Sequence, residues 1–484
     1  MSGSESNPAA EPGSTGTETH DPAVTDAWSQ FMRTGWGEAG LDLPRTDLAD
    51  QTSARRAQLA ATFPGERLVL PAGGYKVRAN DTDYRFRAET SHTYFSGNQT
   101  SDAVLVIDDG DATLFVRPRS DRDTDEFFRD RVYGELWAGR RPSTDELSES
   151  LALTVRHIDE LASVLSTSGK TRVLRGKSAA VDALVAADEG RDVEFAAVAA
   201  EMRLVKSSWE IDQLQRAVDA TVAGFNDVVE EWDRAVEHGE RWIEGTFFRR
   251  ARVAGNDIGY DSIVAGGQHA TTLHWIDNTG PITPGALALL DMGVEGHHLY
   301  TADVTRTIPV SGTFTPLQRE LYSLVLAAQD AAVAALRPGV NFRAGHDAAM
   351  DVLAHGLDDM GLLPVSAQES LDPTNKTYSR WTLHGTSHML GMEVHDCAAA
   401  RSPKQGSTMG YQDLDLAEGM CLTVEPGLYF QANDLLVPDE LRGIGIRIED
   451  DVVITADGAL NQSAALPRTP AAIEEWMGRS GGRR

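Results

Sequence analysis

Two cysteines, Cys397 and Cys421, are the only thiols in 484 residues. That is too few for a disulfide framework and fits a reducing, cytoplasmic compartment. No apolar run approaches the ~18 residues of a membrane-spanning helix, so no span is expected. Positive charge is also scarce: 44 Lys and Arg against 73 Asp and Glu leave a formal charge of -29. Nucleic acid and anionic membranes would be repelled at long range, which excludes both as main partners. Residues 1–20 hold Ser, Gly, Glu, Pro and Thr without an apolar core, which predicts a disordered tail rather than a signal peptide.

What is present describes a soluble globular chain. Hydrophobic residues make up 41%, and the mean hydropathy is -0.30. The length exceeds one ordinary hydrophobic core, so two domains are expected. Strands and helices alternate over residues 68–205. Ala103-Val-Leu-Val-Ile107 and Thr113-Leu-Phe-Val116 are β-rich runs separated by Asp108-Asp-Gly110-Asp, a hairpin signal. Residues 143–165 show helical periodicity through Leu147, Leu151, Leu153, Ile158, Leu161 and Leu165. Lys206-Ser-Ser208-Trp-Glu reads as a capped helix start, with Ile211, Leu214, Ala217, Val218, Val222 and Phe225 on one face. The domain boundary is placed just before it, near Ala200. Residues 1–40 are then an unstructured tail, 41–200 a smaller α/β domain, 201–470 a catalytic domain and 471–484 a polar tail.

The second domain carries the chemistry. Four carboxylates and one histidine each sit in a short apolar-flanked motif: Leu-Leu-Asp291-Met-Gly, Ala-Asp303-Val-Thr-Arg, His384-Gly-Thr-Ser-His388, Leu-Thr-Val-Glu425-Pro-Gly and Ile-Arg447-Ile-Glu449-Asp. An ionised carboxylate in an apolar setting costs several kcal/mol unless it is paired or bound to a cation. Oxygen ligands with one imidazole suit two hard or borderline divalent ions sharing bridging carboxylates, and such a centre is hydrolytic.

Local pattern suggests how these residues meet. Ala288–Asp291 and Tyr300–Asp303 are strand-like, with turn formers at 293–298, which predicts an antiparallel hairpin whose register decides whether the two aspartates share a face. Residues 443–454 alternate with period two, which places Arg447 and Glu449 on one side of a single strand. Residues 315–336 and 342–357 are amphipathic helices. Helices and antiparallel strands in this order give an α+β layer with the site on a concave sheet face.

Read singly, Asp291 or Glu449 is as well explained as a salt-bridge partner on a strand. Five such residues together are not. His297-His298, in the turn, are adjacent and so face opposite ways, which makes them solvent-exposed rather than a metal pair. Cys397 and Cys421 read as small core hydrophobes.

These motifs resemble the metallopeptidases of the pita-bread fold, which include methionine aminopeptidase, Xaa-Pro dipeptidase, aminopeptidase P and creatinase. The resemblance extends to Leu273-His274-Trp275, Val394-His395-Asp396, Pro426-Gly-Leu-Tyr429 and Gly443-Ile-Gly-Ile-Arg447. It reaches the first domain through Tyr84-Arg-Phe-Arg87, Tyr94-Phe95-Ser-Gly97 and Trp137-Ala-Gly139-Arg-Arg141, which are similar to the aminopeptidase P N-terminal domain. Methionine aminopeptidase usually lacks that domain, and creatinase lacks this metal set.

The resemblance therefore implies an aminopeptidase P-type α/β domain before a pita-bread catalytic domain. It implies a metal-dependent aminopeptidase that cleaves between an N-terminal residue and a following proline, through attack of a hydroxide bridging the metals. Asp291 and Asp303 would hold one ion, His388 and Glu425 the other, with Asp303 and Glu449 bridging. Manganese is preferred, and zinc, cobalt and iron remain compatible. Glu425 would accept the water's proton. His274, His384 and His395 would position substrate and stabilise the oxyanion, and Arg447 would steady a ligand carboxylate. Tyr260 and Tyr429 would line the pocket. The partners implied are peptides with proline second and further copies of the chain, as dimer or tetramer. Xaa-Pro dipeptidase is the alternative, and a non-catalytic pita-bread binding module a remoter one.

Overall fold

The computed structural model describes residues 25–37, 40–45, 47–400 and 410–478. The chain divides into two units, Met1–Phe195 and Ala196–Arg484, inside the helix Glu189–Glu201. The expected tail over residues 1–20 lies outside the described residues. Within the 1–40 span read as unstructured, Asp26–Met32 is a helix, begun by the Thr25 side chain accepting from Trp28 N–H. The predicted polar tail from 471 is likewise helical over Pro470–Gly478, because Ile473, Trp476 and Met477 are buried together on one face.

In the first unit, five strands form a mixed sheet: β1 (Arg67–Pro71), β2 (Val104–Asp108), β3 (Asp111–Val116), β4 (Thr154–His157) and β5 (Thr171–Val173), in the order β4-β3-β2-β1-β5. The expected β2–β3 hairpin forms with Asp108 opposite Asp111. Asp109 and Gly110 turn the chain at φ of 50° and 92°, the left-handed values a two-residue hairpin loop needs. Val69, Val104, Val106, Phe115, Leu161 and Val173 form its core.

The single helix expected over 143–165 is not continuous. A capping box of Ser143 and Glu146 starts α1 (Thr144–Leu151), and Ala152 ends it at a left-handed φ of 48°. The β-branched Thr154 and Val155 then extend into β4, which pairs in parallel with β3. A second helix follows at Leu161–Leu165.

In the second unit, α2 (Ser208–Glu230) opens with the capping box Ser207/Glu210, as the sequence suggests. Leu214, Ala217, Val218 and Phe225 are buried along one face. Each large member contributes about 1.5–3 kcal/mol by leaving water. Next come α3 (Glu240–Ala254), α4 (Pro316–Ala335) and α5 (Ala344–Asp359). Thr315 and Gln318 form a capping box on α4, with Pro316 in its first turn. The helices α4 and α5 pack together, as do α2 and α3.

The strands of this unit carry the site. β6 (Ile263–Gly266), β7 (Leu287–Met292) and β8 (Val304–Pro309) make one antiparallel sheet, with β7 central. β9 (Cys421–Val424) pairs with β12 (Asp450–Thr455), and β10 (Gly427–Phe430) with β11 (Ile444–Arg447). Two expectations shift here. The strand after the turn begins at Val304 rather than at Tyr300, and the alternating run 443–454 is two strands interrupted at Ile448-Glu449. The interruption lets β11 and β12 serve different partners. No helix among the described residues is long and apolar enough to cross a membrane.

Candidate metal centre and active-site pocket

Asp291 lies on β7 opposite Thr305 of β8. Asp303 is two residues before Thr305, the diagonal position on the same face, so register does bring the two aspartates together. The Tyr260 hydroxyl lies between them, 2.6 Å from Asp291 Oδ1 and 2.5 Å from Asp303 Oδ1. Tyr260 was expected as a pocket wall; it is also a direct partner of both aspartates.

The other ligand candidates arrive from strand ends. Glu425 follows β9, its N–H donating to Thr386 O at 2.8 Å. Glu449 sits in the break between β11 and β12; its N–H donates to Thr305 O at 3.1 Å and its Oε2 accepts from Thr305 Oγ1 at 2.6 Å. His388 exchanges backbone and side-chain contacts with Thr423 of β9. Its Nδ1 faces Met389 O at 3.3 Å, while Nε2 stands 3.3 Å from Asp303 Oδ2 and 3.5 Å from Glu425 Oε1. Asp303, His388 and Glu449 each place a ligand atom within 4.8 Å of the others, and all three are buried.

This donor set fits divalent cations. Four carboxylates crowd a space in which, among the described residues, Arg447 is the one Lys or Arg side chain on the wall. Burial, reinforced by Asp291, raises Asp303 well above the usual carboxylate range, and burial reinforced by Asp303 does the same for Glu449. Burial lifts Glu425 to about 7 against the pull of His388 and Arg447. A high affinity for protons here expresses a shortage of positive charge, which bound metal ions would relieve.

Arg447 partly answers it. Its Nη2 reaches Asp291 Oδ2 at 2.5 Å, and it donates also to Thr305 Oγ1 and to the Tyr429 hydroxyl. Burial opposes the charged guanidinium, yet Tyr429 and the carboxylates of Asp291, Glu425 and Glu449 outweigh it and hold it protonated.

The five ligand candidates, Tyr260 and Arg447 border one cavity of about 580 Å³, and so do His274, His384 and His395. The His384 Nδ1 faces Gly385 O at 3.0 Å, and its Nε2 faces the Tyr429 hydroxyl at 2.7 Å. Burial, then Arg447, lowers His384 to about 4, so the ring is neutral with both nitrogens engaged. Burial, then His388, lowers His395 to about 4, and its ring stands edge-on to His388 at 4.3 Å. His274 and His395 are exposed at the cavity.

Tyr429 departs from expectation. It is not on the cavity wall; its hydroxyl lies behind, linking Arg447 to His384. The wall also holds Asp261, Ile263, Ile276, Ser387 and Gln412, none of them singled out by the sequence, although Ser387 lies within the His384–His388 motif. Sequence reading did not see that Asp396 is an anchor, accepting from Arg203 Nε at 3.0 Å, Met392 N–H at 3.1 Å and Cys397 N–H at 2.7 Å. His297 is exposed, and His298 is half-buried beside Trp209. Cys397 and Cys421 are buried and unpaired, with burial pushing both thiols up to about 12.

A pita-bread arrangement of ligand-grade carboxylates and one imidazole defines a metallopeptidase. Residues 212–456 match metallopeptidase family M24, and residues 52–174 match the aminopeptidase P N-terminal domain. The chain belongs to family M24, in the branch that carries that N-terminal domain. It is 52% identical over 464 residues to Xaa-Pro aminopeptidase 1 of Streptomyces coelicolor, covering 94% of this chain and 93% of that protein. Xaa-Pro aminopeptidase of Escherichia coli is 32% identical, covering 87% and 96%. Among solved structures, aminopeptidase P from E. coli with the inhibitor Pro-Leu aligns with a TM-score of 0.78 at 29% identity, covering 90% of this chain and 99% of that one. Proline aminopeptidase P II from Yersinia pestis aligns with a TM-score of 0.77 at 30% identity, covering 89% and 99%.

Proposed function

We propose that this chain is a metal-dependent aminopeptidase that removes the residue preceding an N-terminal Xaa-Pro bond. The observation that carries the reading is the meeting of Asp291, Asp303, His388, Glu425 and Glu449 in one cavity with His274, His384 and His395. Near full-length similarity to Xaa-Pro aminopeptidases supports it.

Asp291 and Asp303 would hold one ion, His388 and Glu425 a second, with Asp303 and Glu449 shared. The predominance of oxygen donors favours manganese. Such ions supply Lewis acidity and acidify water, which peptide hydrolysis needs at neutral pH. The remaining work belongs to side chains. Glu425 takes the proton of the attacking water and returns it to the departing proline nitrogen. His274 and His395, exposed at the cavity, offer ring N–H groups to the scissile carbonyl as charge develops on it. Neutral His384 is held by Tyr429 and walls the space for the pyrrolidine ring. Proline has no amide hydrogen and a fixed φ, so a site that asks for shape rather than for that hydrogen selects it. Arg447 fixes the Asp291 carboxylate. Two unpaired buried thiols support a cytoplasmic setting.

The test compares a dipeptide Xaa-Pro with a longer Xaa-Pro-Yaa-Zaa, both with manganese. An aminopeptidase leaves the far side of proline open and gains binding energy there, so the longer peptide should show the higher kcat/KM. A dipeptidase closes that side around a carboxylate. Preference for the dipeptide would move the chain to that activity.

A further inference from the structure

Glu240, at the start of α3, lies outside the cavity wall and has no exposed surface. Both its carboxylate oxygens are saturated. Oε1 accepts from Gly266 N–H at 2.8 Å and stands 2.8 Å from His269 Nδ1. Oε2 accepts from Trp275 Nε1 at 2.9 Å and Gly280 N–H at 2.6 Å. The Glu240 N–H in turn donates to Gly280 O at 3.0 Å. Every one of these partners belongs to residues 266–280. That segment carries Leu273, His274 and Ile276 to the cavity.

The carboxylate therefore closes the neck of this loop and braces its interior. Gly266 and Gly280 are its two ends. His269 and Trp275 reach inward to the same carboxylate, stacked with ring centroids 3.9 Å apart and 26° between planes. Trp275 immediately follows His274, so the indole N–H fixes the backbone from which the His274 ring projects. The surroundings are tight. A Cβ on Gly280 would lie 2.4 Å from His269 Cε1 and 2.8 Å from Glu240 Oε1, and one on Gly239 would lie 2.5 Å from Gly280 O. Asn278 ties the returning chain to β6, accepting from Val264 N–H at 3.0 Å and donating to Ser262 O at 2.9 Å.

These contacts suit a carboxylate. Its two oxygens offer four acceptor sites, matching the N–H groups of Gly266, Trp275 and Gly280 and the facing His269 Nδ1. A glutamine would turn an NH2 toward one pair of those donors and leave them unpaired, each costing about 1–3 kcal/mol when buried.

We propose that Glu240 is the positioning residue for His274, acting through the Trp275 indole and the two ends of the 266–280 loop. The inference rests on the reading of His274 as a substrate-contacting group. A shift of about 1 Å in such a group costs up to about 100-fold in rate.

The experiment is a double-mutant cycle on the full-length, manganese-loaded chain with an Xaa-Pro-Yaa-Zaa peptide. Glu240→Gln, His274→Ala and the double variant are compared by kcat, KM and bound metal. Glu240→Gln should lower kcat about 10- to 100-fold with metal content unchanged. In the His274→Ala background the same substitution should change kcat by less than about twofold, because its effect passes through the missing ring. Equal losses in both backgrounds, or wild-type kcat in Glu240→Gln while His274→Ala is impaired, would overturn the positioning role alone. Wild-type kcat in His274→Ala would overturn the reading of the histidine and this inference with it. Should Glu240→Gln fail to fold, Trp275→Phe removes one donor and keeps the ring; a loss confined to the His274 background supports the role, and an additive loss refutes it.

Discussion

Arg447 on β11 and Asp291 on β7 are joined by a buried ion pair, Nη2 to Oδ2 at 2.5 Å, with neither side chain more than 10% exposed. The pair sets Asp291 at a fixed angle to Asp303 and hands the guanidinium's remaining donors to Thr305 and Tyr429. Breaking a buried pair by removing one partner leaves an uncompensated charge, at a cost of about 3–5 kcal/mol. Arg447→Ala should therefore weaken metal retention about 10- to 100-fold and lower kcat/KM at limiting manganese. Arg447→Lys should rescue little, since an ammonium does not reproduce the fork. Metal content against free manganese, by elemental analysis, checks both.

Chelation should abolish hydrolysis, and manganese should restore it. Asp303→Ala and Glu449→Ala, at the proposed shared positions, should each lose both ions, whereas Asp291→Ala should keep one. Two ions retained at normal turnover in Asp303→Ala would remove Asp303 from the shared position.

His395→Ala should lower kcat by about 100-fold or more while bound metal stays at the wild-type level, because the ring is assigned to the developing oxyanion. Loss of an ion in this variant would place His395 among the ligands, beside His388. His297→Ala, in the exposed turn, should change neither quantity.

His92 gives a pH signature of the first unit. It is fully buried in the first unit, its Nδ1 stands 2.8 Å from Leu70 O, and burial lowers its pKa to about 4. The unfolded chain takes up this proton below about 6.5, the folded chain only below about 4. The unfolded state thus binds more protons in between, and stability falls as pH drops from about 6.5 to about 4. That difference corresponds to about 3 kcal/mol. Urea unfolding of wild type and His92→Asn at pH 7 and pH 4.5 should show the variant losing about 2–3 kcal/mol less between the two.

Local pattern located elements well where caps and turns agreed with periodicity. The capping box at Ser207, the helix from Thr315 and the Asp109-Gly110 turn all formed where their residues suggested. Periodicity failed over 143–165, where leucines spaced for a helix are divided between α1, β4 and Leu161–Leu165. A strand wanted beside β3 overrode local spacing. The alternating run at 443–454 did keep Arg447 and Glu449 on one cavity, yet as two strands, because β10 and β9 are separate partners.

By itself the sequence determined which chemical groups were available and in what local company. Asp291, Asp303, His388, Glu425 and Glu449 were recognisable because a costly polar group inside an apolar motif is a local fact, whereas His274, His384 and His395 stood out only through the family resemblance. Tertiary structure decided what stands around them. That Tyr260 bridges two aspartates, that Tyr429 lies behind His384, and that Glu240 closes the loop bearing His274 all depend on groups distant in sequence. Hydrogen bonds of that kind carry no periodicity: they are chosen when strands pair and helices pack, since only then is each donor removed from water and made to find its acceptor.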